Sequence, residues 1–107
     1  MEARENRSAR VAQAAREIGT ELRKQARKSW QGVRTAERNE GNRHVWRFRS
    51  PRDGSDRFLH LSHREMVQGD SASLLRQLEA AQWTERLSGS ENAMILSGGG
   101  LQAYPVN

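Results

Sequence analysis

The sequence predicts an α+β fold, in which a long basic N-terminal helix precedes a small antiparallel sheet of two hairpins covered by one or two short helices. Three observations predict it. Apolar residues recur every three or four positions in the first third of the chain, they alternate with polar residues from position 44, and turn residues separate the later segments. The 107 residues suit one domain with an appended arm. We expect a basic helical arm over residues 1–41 and a small α+β body, in the order ββααββ, over residues 42–107.

The first predicted element is a helix over residues 10–37, with Ser8 as its N-cap and its end near Asn39–Gly41. Small and apolar side chains recur there at steps of four and three, which places them on one side of a helix. They form what we call the apolar stripe: Val11, Ala15, Ile18, Leu22, Ala26 and Val33. An unbroken helix would be about 42 Å long. We therefore expect it to project, to bend at Gly19 or Gly32, or to pack against another subunit.

The first predicted hairpin joins strands over residues 44–50 and 57–62 through a loop of about six residues. Both strands alternate between large apolar and polar side chains, as half-buried strands do. The loop contains Pro51 and Gly54, which are typical turn residues. The side chains expected to face the core are those of Trp46, Phe48, Leu59 and Leu61.

Two short helices are predicted after this hairpin. Ser62 and Glu65 have the spacing of a capping box, so the first helix begins there and ends at Gly69. The second begins after an N-cap at Asp70 or Ser71 and carries a leucine-rich face over Leu74–Leu78, which we expect to cover the sheet.

A second hairpin is predicted from residues 83–88 and 92–97, joined by the turn residues 89–91. Residues 101–106 are predicted to form a last strand at the edge of the sheet, because Pro105 cannot donate a backbone hydrogen bond to a neighbouring strand.

Several functional classes are not indicated by the sequence. There is no cysteine, and the three histidines lack the spacing of metal ligands, so we expect neither a disulfide nor a metal site. No apolar run approaches the roughly 20 residues that span a bilayer, and acidic residues interrupt the N-terminus where a secretory signal would be apolar. We expect a cytoplasmic protein, of bacterial or phage origin, that does not contact membranes.

Catalysis and cofactor binding are also not expected. The capping box explains Ser62 and Glu65 without a nucleophile. Residues 98–100 are glycines, but no Gly-Lys-Ser/Thr follows them and they open no helix, so they are not a phosphate-binding loop. We expect a small accessory protein that is not an enzyme and has no cofactor.

The charge is divided unevenly along the chain. Residues 1–49 contain 13 Lys and Arg against 6 Asp and Glu, which gives +7, whereas residues 50–107 contain 5 against 7, which gives −2. The net charge of +5 therefore conceals a basic half and a mildly acidic half. Such a division indicates a polyanion or an acidic protein as the partner of the first half.

The basic residues of the predicted helix form a ridge beside the apolar stripe. We call these residues the basic ridge: Arg16, Arg23, Lys24, Arg27, Lys28, Arg34 and Arg38. Their steps place the arginines roughly 6–10 Å apart, which is the order of the phosphate repeat of a nucleic-acid strand. Arginine binds phosphate in a bidentate manner and releases counterions as it does so. The alternative is a solvated helix face or the flank of a coiled coil.

A second candidate surface lies on the polar side of the first hairpin, where four side chains share one face: Arg47, Arg49, Phe58 and His60. Arginine and aromatic side chains together on a sheet can hold a nucleic-acid backbone and stack on its bases. The alternative is that Phe58 packs under the N-terminal helix and the arginines are only solvated edge residues.

The functional hypothesis from the sequence is a small non-enzymatic protein that binds DNA or RNA mainly through backbone phosphates, with the basic ridge as its main contact. Nothing in the sequence resembles a set of base-reading side chains, so little sequence specificity is expected. The alternative is a protein-interaction module, such as an accessory subunit, inhibitor or regulator. In that case the apolar stripe is the interface of a homodimer or of a larger protein complex.

Overall fold

The computed structural model of the chain describes residues 2–89, 92–97 and 100–104, with side chains in the first helix from Ser8 onward. The described part contains four helices and five strands, which confirms the predicted α+β class. In chain order they are α1 (Glu2–Ser29), β1 (Arg34–Glu40), β2 (Arg43–Arg49), β3 (Asp56–Ser62), α2 (His63–Gln68), α3 (Ser71–Ala80), α4 (Trp83–Ser88), β4 (Ala93–Ser97) and β5 (Gly100–Ala103).

The five described strands form one sheet in the order β1-β2-β3-β4-β5. Strand β2 pairs antiparallel with β1 and with β3, and β4 pairs antiparallel with β5, but β3 and β4 are parallel. The predicted first hairpin is confirmed as β2–β3. Because all three short helices lie between β3 and β4, they form the crossover that a parallel pair requires.

The long helix ends earlier than predicted, and the sheet contains one more strand at this end of the chain than was predicted. Helix α1 ends at Ser29, and residues 34–40 form strand β1 instead of continuing the helix. Gly32 has a φ of +84°, a conformation that glycine adopts readily and that interrupts a helix. The segment after it contains good helix formers, but its seven residues pair with all seven of β2. Pairing therefore overrides local propensity.

The predicted helix stop near Asn39–Gly41 is instead a hairpin turn. Residues 41 and 42 connect β1 to β2, and Gly41 has a φ of +63°. Two-residue hairpin loops favour glycine at a position of positive φ, because their twist then matches that of the strands. The sequence correctly indicated a turn at Gly41, but this turn joins two strands instead of ending a helix.

Residues 83–88 were predicted as a strand, and this prediction is wrong. They form α4, whose buried residues are Trp83 and Leu87, four positions apart. A strand that buried both would also bury Glu85, because it lies on the same side at every second position. In a helix Glu85 points elsewhere and is exposed. The second hairpin is consequently β4–β5, and β5 lies at the edge of the sheet as predicted, whereas Pro105 lies outside the described residues.

The predicted caps of the two short helices and the covering helix are confirmed, but the predicted N-cap at Ser8 is wrong, because α1 already begins at Glu2. The Ser62 hydroxyl accepts a hydrogen bond from the Glu65 amide at 3.3 Å. The Asp70 carboxylate accepts one from the Ser73 amide at 2.7 Å at the start of α3. Leu74 and Leu78 of that helix are each 1% exposed and belong to the core.

The hydrophobic core lies between the helices and one face of the sheet, which we call the inner face. Its strand residues include Trp46, Phe48, Leu59, Leu61, Met94 and Leu96. Five residues of the apolar stripe, from Val11 to Ala26, are at most 6% exposed, and Val33 packs partly buried against the same core. The predicted arm therefore contains a helix and a strand that both pack on the rest of the chain. The stripe contacts the chain's own sheet, because a small body gains stability by burying it.

No helix in the described ranges combines the length and the apolar character needed to cross a membrane.

Candidate functional site

The sheet face opposite the helices, which we call the outer face, collects arginine and aromatic side chains. Strand alternation and the register of the pairs place its residues on β1 to β3. They are Arg34, Ala36, Arg38, Glu40, Arg43, Val45, Arg47, Arg49, Asp56, Phe58 and His60. None of them belongs to the core cluster between the sheet and the helices. The face therefore carries five arginines against two carboxylates.

Two of these five arginines are already paired with carboxylates. Arg49 donates to both carboxylate oxygens of Asp56, at 2.8 and 3.2 Å. This hydrogen bonding lowers the pKa of Asp56 below its usual value, so the pair stays charged and internally neutral at neutral pH. Arg38 contacts Glu40 at 3.3 Å, but the Arg38 side chain is 67% exposed. Solvent screens such a pair, so it holds the arginine only weakly.

The other three arginines of the outer face supply its excess positive charge. Within the described part of the chain, Arg34, Arg43 and Arg47 form no ion pair with a carboxylate. The Nε atoms of Arg43 and Arg47 are buried and have no hydrogen-bond partner among the described residues. An unpaired buried donor costs about 1–3 kcal/mol, and an oxygen atom of a bound anion would satisfy it.

An aromatic stack lies at the β3 and β5 side of the same face. The His60 and Tyr104 rings stack with centroids 4.3 Å apart and an interplanar angle of 18°. The Arg43 guanidinium carbon is 4.9 Å from the Tyr104 centroid. The pKa of His60 is lowered by burial and then by the charges of Arg43 and Arg38, against the opposing charge of Glu40. His60 is consequently neutral at neutral pH, and it senses a positive field.

The lowered pKa of His60 predicts a pH dependence of stability. The unfolded chain, with an ordinary histidine pKa near 6.5, binds this proton more readily than the folded chain. Burial of neutral His60 therefore contributes fully to the free energy of unfolding above about pH 6.5. This contribution decreases as the pH falls below that value toward the lower pKa of His60 in the folded chain. Urea unfolding at neutral and at mildly acidic pH measures this change. The free energy of unfolding should decrease less between the two pH values for His60→Gln than for the parent. Identical losses in the two proteins would contradict the assignment.

A depression of about 230 Å³ lies between β1 and β3 on the outer face. The residues that line it are Ala36, Glu37, Arg38, Val45, Arg47 and Phe58. Val45 is only 2% exposed although it is outside the core cluster, so side chains of the outer face cover it. The depression thus has an apolar floor beneath two guanidinium groups and one aromatic ring.

The basic ridge does not stay together as predicted. Arg16, Arg23, Lys24, Arg27 and Lys28 lie on α1, whereas Arg34 and Arg38 lie on the outer face of β1. Arg23 contacts Glu37 of β1 at 3.8 Å, and Glu37 also lies 3.5 Å from His44 Nε2. The arginine side of α1 therefore runs along the β1 edge of the sheet.

The opposite side of α1 faces the short helices. Glu17 accepts a hydrogen bond from Ser71 at 2.7 Å, and Gln25 donates one to Glu79 at 2.8 Å. Lys24 forms a pair with Glu21 at 3.6 Å and is mostly exposed. Within the described residues, Arg16, Arg27 and Lys28 of α1 also form no ion pair, so positive charge without a carboxylate partner lies on α1 as well as on the sheet.

The structure brings together six of the residues predicted to bind nucleic acid: Arg34, Arg38, Arg47, Arg49, Phe58 and His60. Arg43 was not predicted, although it continues the alternation of Arg47 and Arg49 toward the start of β2 and could have been found. Tyr104 was also missed, because its neighbour His60 becomes adjacent only through the order of the strands.

Comparison with protein-family models, with curated proteins and with solved structures finds no match to this chain.

Proposed function

We propose that the chain is a small non-enzymatic protein that binds nucleic acid through backbone phosphates, with the outer face of the sheet as its main contact. The observation that carries this proposal is the set of three arginines that have no carboxylate partner among the described residues, on a face that no described helix covers. Arg16 and Arg27 are exposed on α1 at helical spacing from Arg23, which contacts Glu37 of β1, and they extend the positive surface.

The spacing of the arginines suits a polyanion. Alternate residues of one strand are about 7 Å apart, and neighbouring strands are about 5 Å apart. Arg47 and Arg49 alternate on β2, Arg34 of β1 lies opposite Arg49, and Arg38 lies opposite Val45. These arginines form rows that several phosphates of one strand can contact. Each guanidinium offers a bidentate pair of donors and remains charged at every physiological pH.

The electrostatics also suit an anion that is bound through its charge and not through its sequence. The pKa of His60 is lowered first by burial and then by the charge of Arg43, and a phosphate near Arg43 would reduce the second of these effects. It would also place oxygen atoms near the buried Nε donors of Arg43 and Arg47. Phosphate contacts fix a protein on nucleic acid without reading its bases, so we expect little sequence specificity for either DNA or RNA.

Binding of a fluorescently labelled oligonucleotide at increasing salt tests this proposal. If three to five arginines neutralise phosphates, the logarithm of the affinity should fall linearly with the logarithm of salt, with a slope of roughly −2 to −4. Fluorescence anisotropy between about 50 and 200 mM NaCl measures the slope. Absence of binding at the lowest salt, or binding that salt does not weaken, would contradict the proposal.

The alternative function, a protein-interaction module using the apolar stripe, stays a prediction. Because Val11 to Ala26 are buried against the sheet, that interface would require α1 to leave the core.

A further inference from the structure

We infer that the outer face takes single-stranded nucleic acid, with one unpaired base inserted in the depression between Arg38, Arg47 and Phe58. This inference rests on the proposed function and specifies its ligand. The observation behind the inference is the apolar floor beneath the arginines, which phosphate binding does not explain.

The size and lining of the depression suit a single planar ring. Its volume of about 230 Å³ is smaller than the roughly 300–1,000 Å³ of pockets that enclose drug-sized ligands. Ala36 and Val45 form an apolar floor, which offers nothing to a phosphate. A base could cover this floor, and its sugar and phosphate would then lie among the arginines. A duplex presents its phosphates outward and keeps its bases paired, so it could not fill the depression.

The side chains at the rim have the chemistry that bases require. Phe58 is half-buried and presents an aromatic wall, on which a base of any sequence can stack. The buried Nε of Arg47 lacks a hydrogen-bond partner in the described part, and a shift of the Arg47 side chain would let it donate to a base acceptor or a phosphate oxygen. The face is therefore able to hold both the charged and the aromatic part of a nucleotide.

The Arg38 side chain lines the depression and is only weakly held there. Its side chain is 67% exposed, and its contact with Glu40 at 3.3 Å is a solvent-screened pair. Rotation of Arg38 away from Val45 would uncover the floor without changing the backbone. Its planar guanidinium could then stack on the inserted base, as arginine does with unpaired bases.

The second aromatic group on this face is less suited to take a base. Tyr104 already stacks on His60 and has the Arg43 guanidinium over its ring. A base stacking there would have to displace one of these neighbours. We therefore place the base at Phe58, and we assign Arg43 to the phosphates.

The experiment compares four probes of similar length: a single-stranded oligonucleotide, the corresponding duplex, an abasic single strand and inorganic polyphosphate. The abasic strand carries the phosphates without the bases. The parent protein should bind the single strand more tightly than the other three. Phe58→Leu, which keeps an apolar side chain but removes the aromatic face, should weaken single-strand binding roughly tenfold. It should leave the affinities for abasic strand and polyphosphate unchanged.

A second variant keeps the test valid if Phe58→Leu does not fold. Ala36 is exposed, so Ala36→Ile adds bulk to the depression at little cost to the fold and should also reduce single-strand affinity. Gln102→Ile, at an exposed position on the edge strand β5, is the matched control and should bind like the parent.

Equal binding of all four probes, unaffected by either variant, would overturn the inference and leave the proposed function standing. Failure of every probe to bind would overturn both.

Discussion

Replacing Leu22 with alanine is expected to lower the free energy of unfolding by about 2–5 kcal/mol. Leu22 is fully buried in the second half of α1 and packs in the same cluster as Trp46 and Phe48 of the inner face. Removing its side chain loses buried apolar surface and leaves a cavity between two elements that cannot easily close it. A domain of this size typically has only about 5–15 kcal/mol of stability, so much of it would be lost.

Urea unfolding followed by circular dichroism measures this change, with Lys28→Ala as the matched control. Lys28 lies on the exposed side of the same helix, and its replacement should change stability by less than about 0.5 kcal/mol. If the apolar stripe were instead an interface between subunits, Leu22→Ala would leave unfolding unchanged and would alter the sedimentation of the protein. That pair of results would contradict the packing of α1 on the sheet.

Reversing two arginines of the outer face is expected to have the largest effect on binding. The double variant Arg43→Glu with Arg47→Glu removes two guanidinium groups that have no carboxylate partner among the described residues. Charge-assisted hydrogen bonds contribute about 1.5–3 kcal/mol each, so oligonucleotide binding should weaken by about 3–6 kcal/mol. The salt slope should become shallower by about two.

The matched control is the pair Arg16→Glu with Arg27→Glu on α1, which changes the net charge by the same amount. Both residues are exposed and lie at helical spacing from Arg23, which contacts β1. Because they extend the site and do not form its centre, this pair should lose less than half as much binding free energy. If the helix pair lost more than the sheet pair, the basic ridge would be the main contact. Circular dichroism of both variants must show a folded protein.

Much of the fold was predictable where the pattern is local. The alternation of β2 and β3 identified both strands and both faces, and the capping box at Ser62 identified the start of α2. Strand β1 was not predictable, because Ala36, Glu37 and Arg38 are good helix formers. Their extended conformation depends on pairing with β2, which is a tertiary interaction.

In the candidate site, too, local patterns were predictable and tertiary contacts were not. Arg47, Arg49, Phe58 and His60 were placed on one face by strand alternation alone. Helical periodicity identified the apolar stripe, but periodicity does not say what covers a stripe, and here the chain's own sheet covers it. The contact of Tyr104 with His60 could not be predicted, because it requires the parallel pairing of β3 with β4 and the position of β5 beside β4.

The most direct test of nucleic-acid binding at the outer face is a map of backbone amide chemical shifts during titration with a single-stranded oligonucleotide at low salt. The largest changes should lie in Arg34–Glu40, in Arg43–Arg49 and around Phe58 and His60, with smaller changes along the arginine side of α1. Shifts that concentrate on α3 and α4, or a spectrum that the oligonucleotide leaves unchanged, would contradict the proposed function.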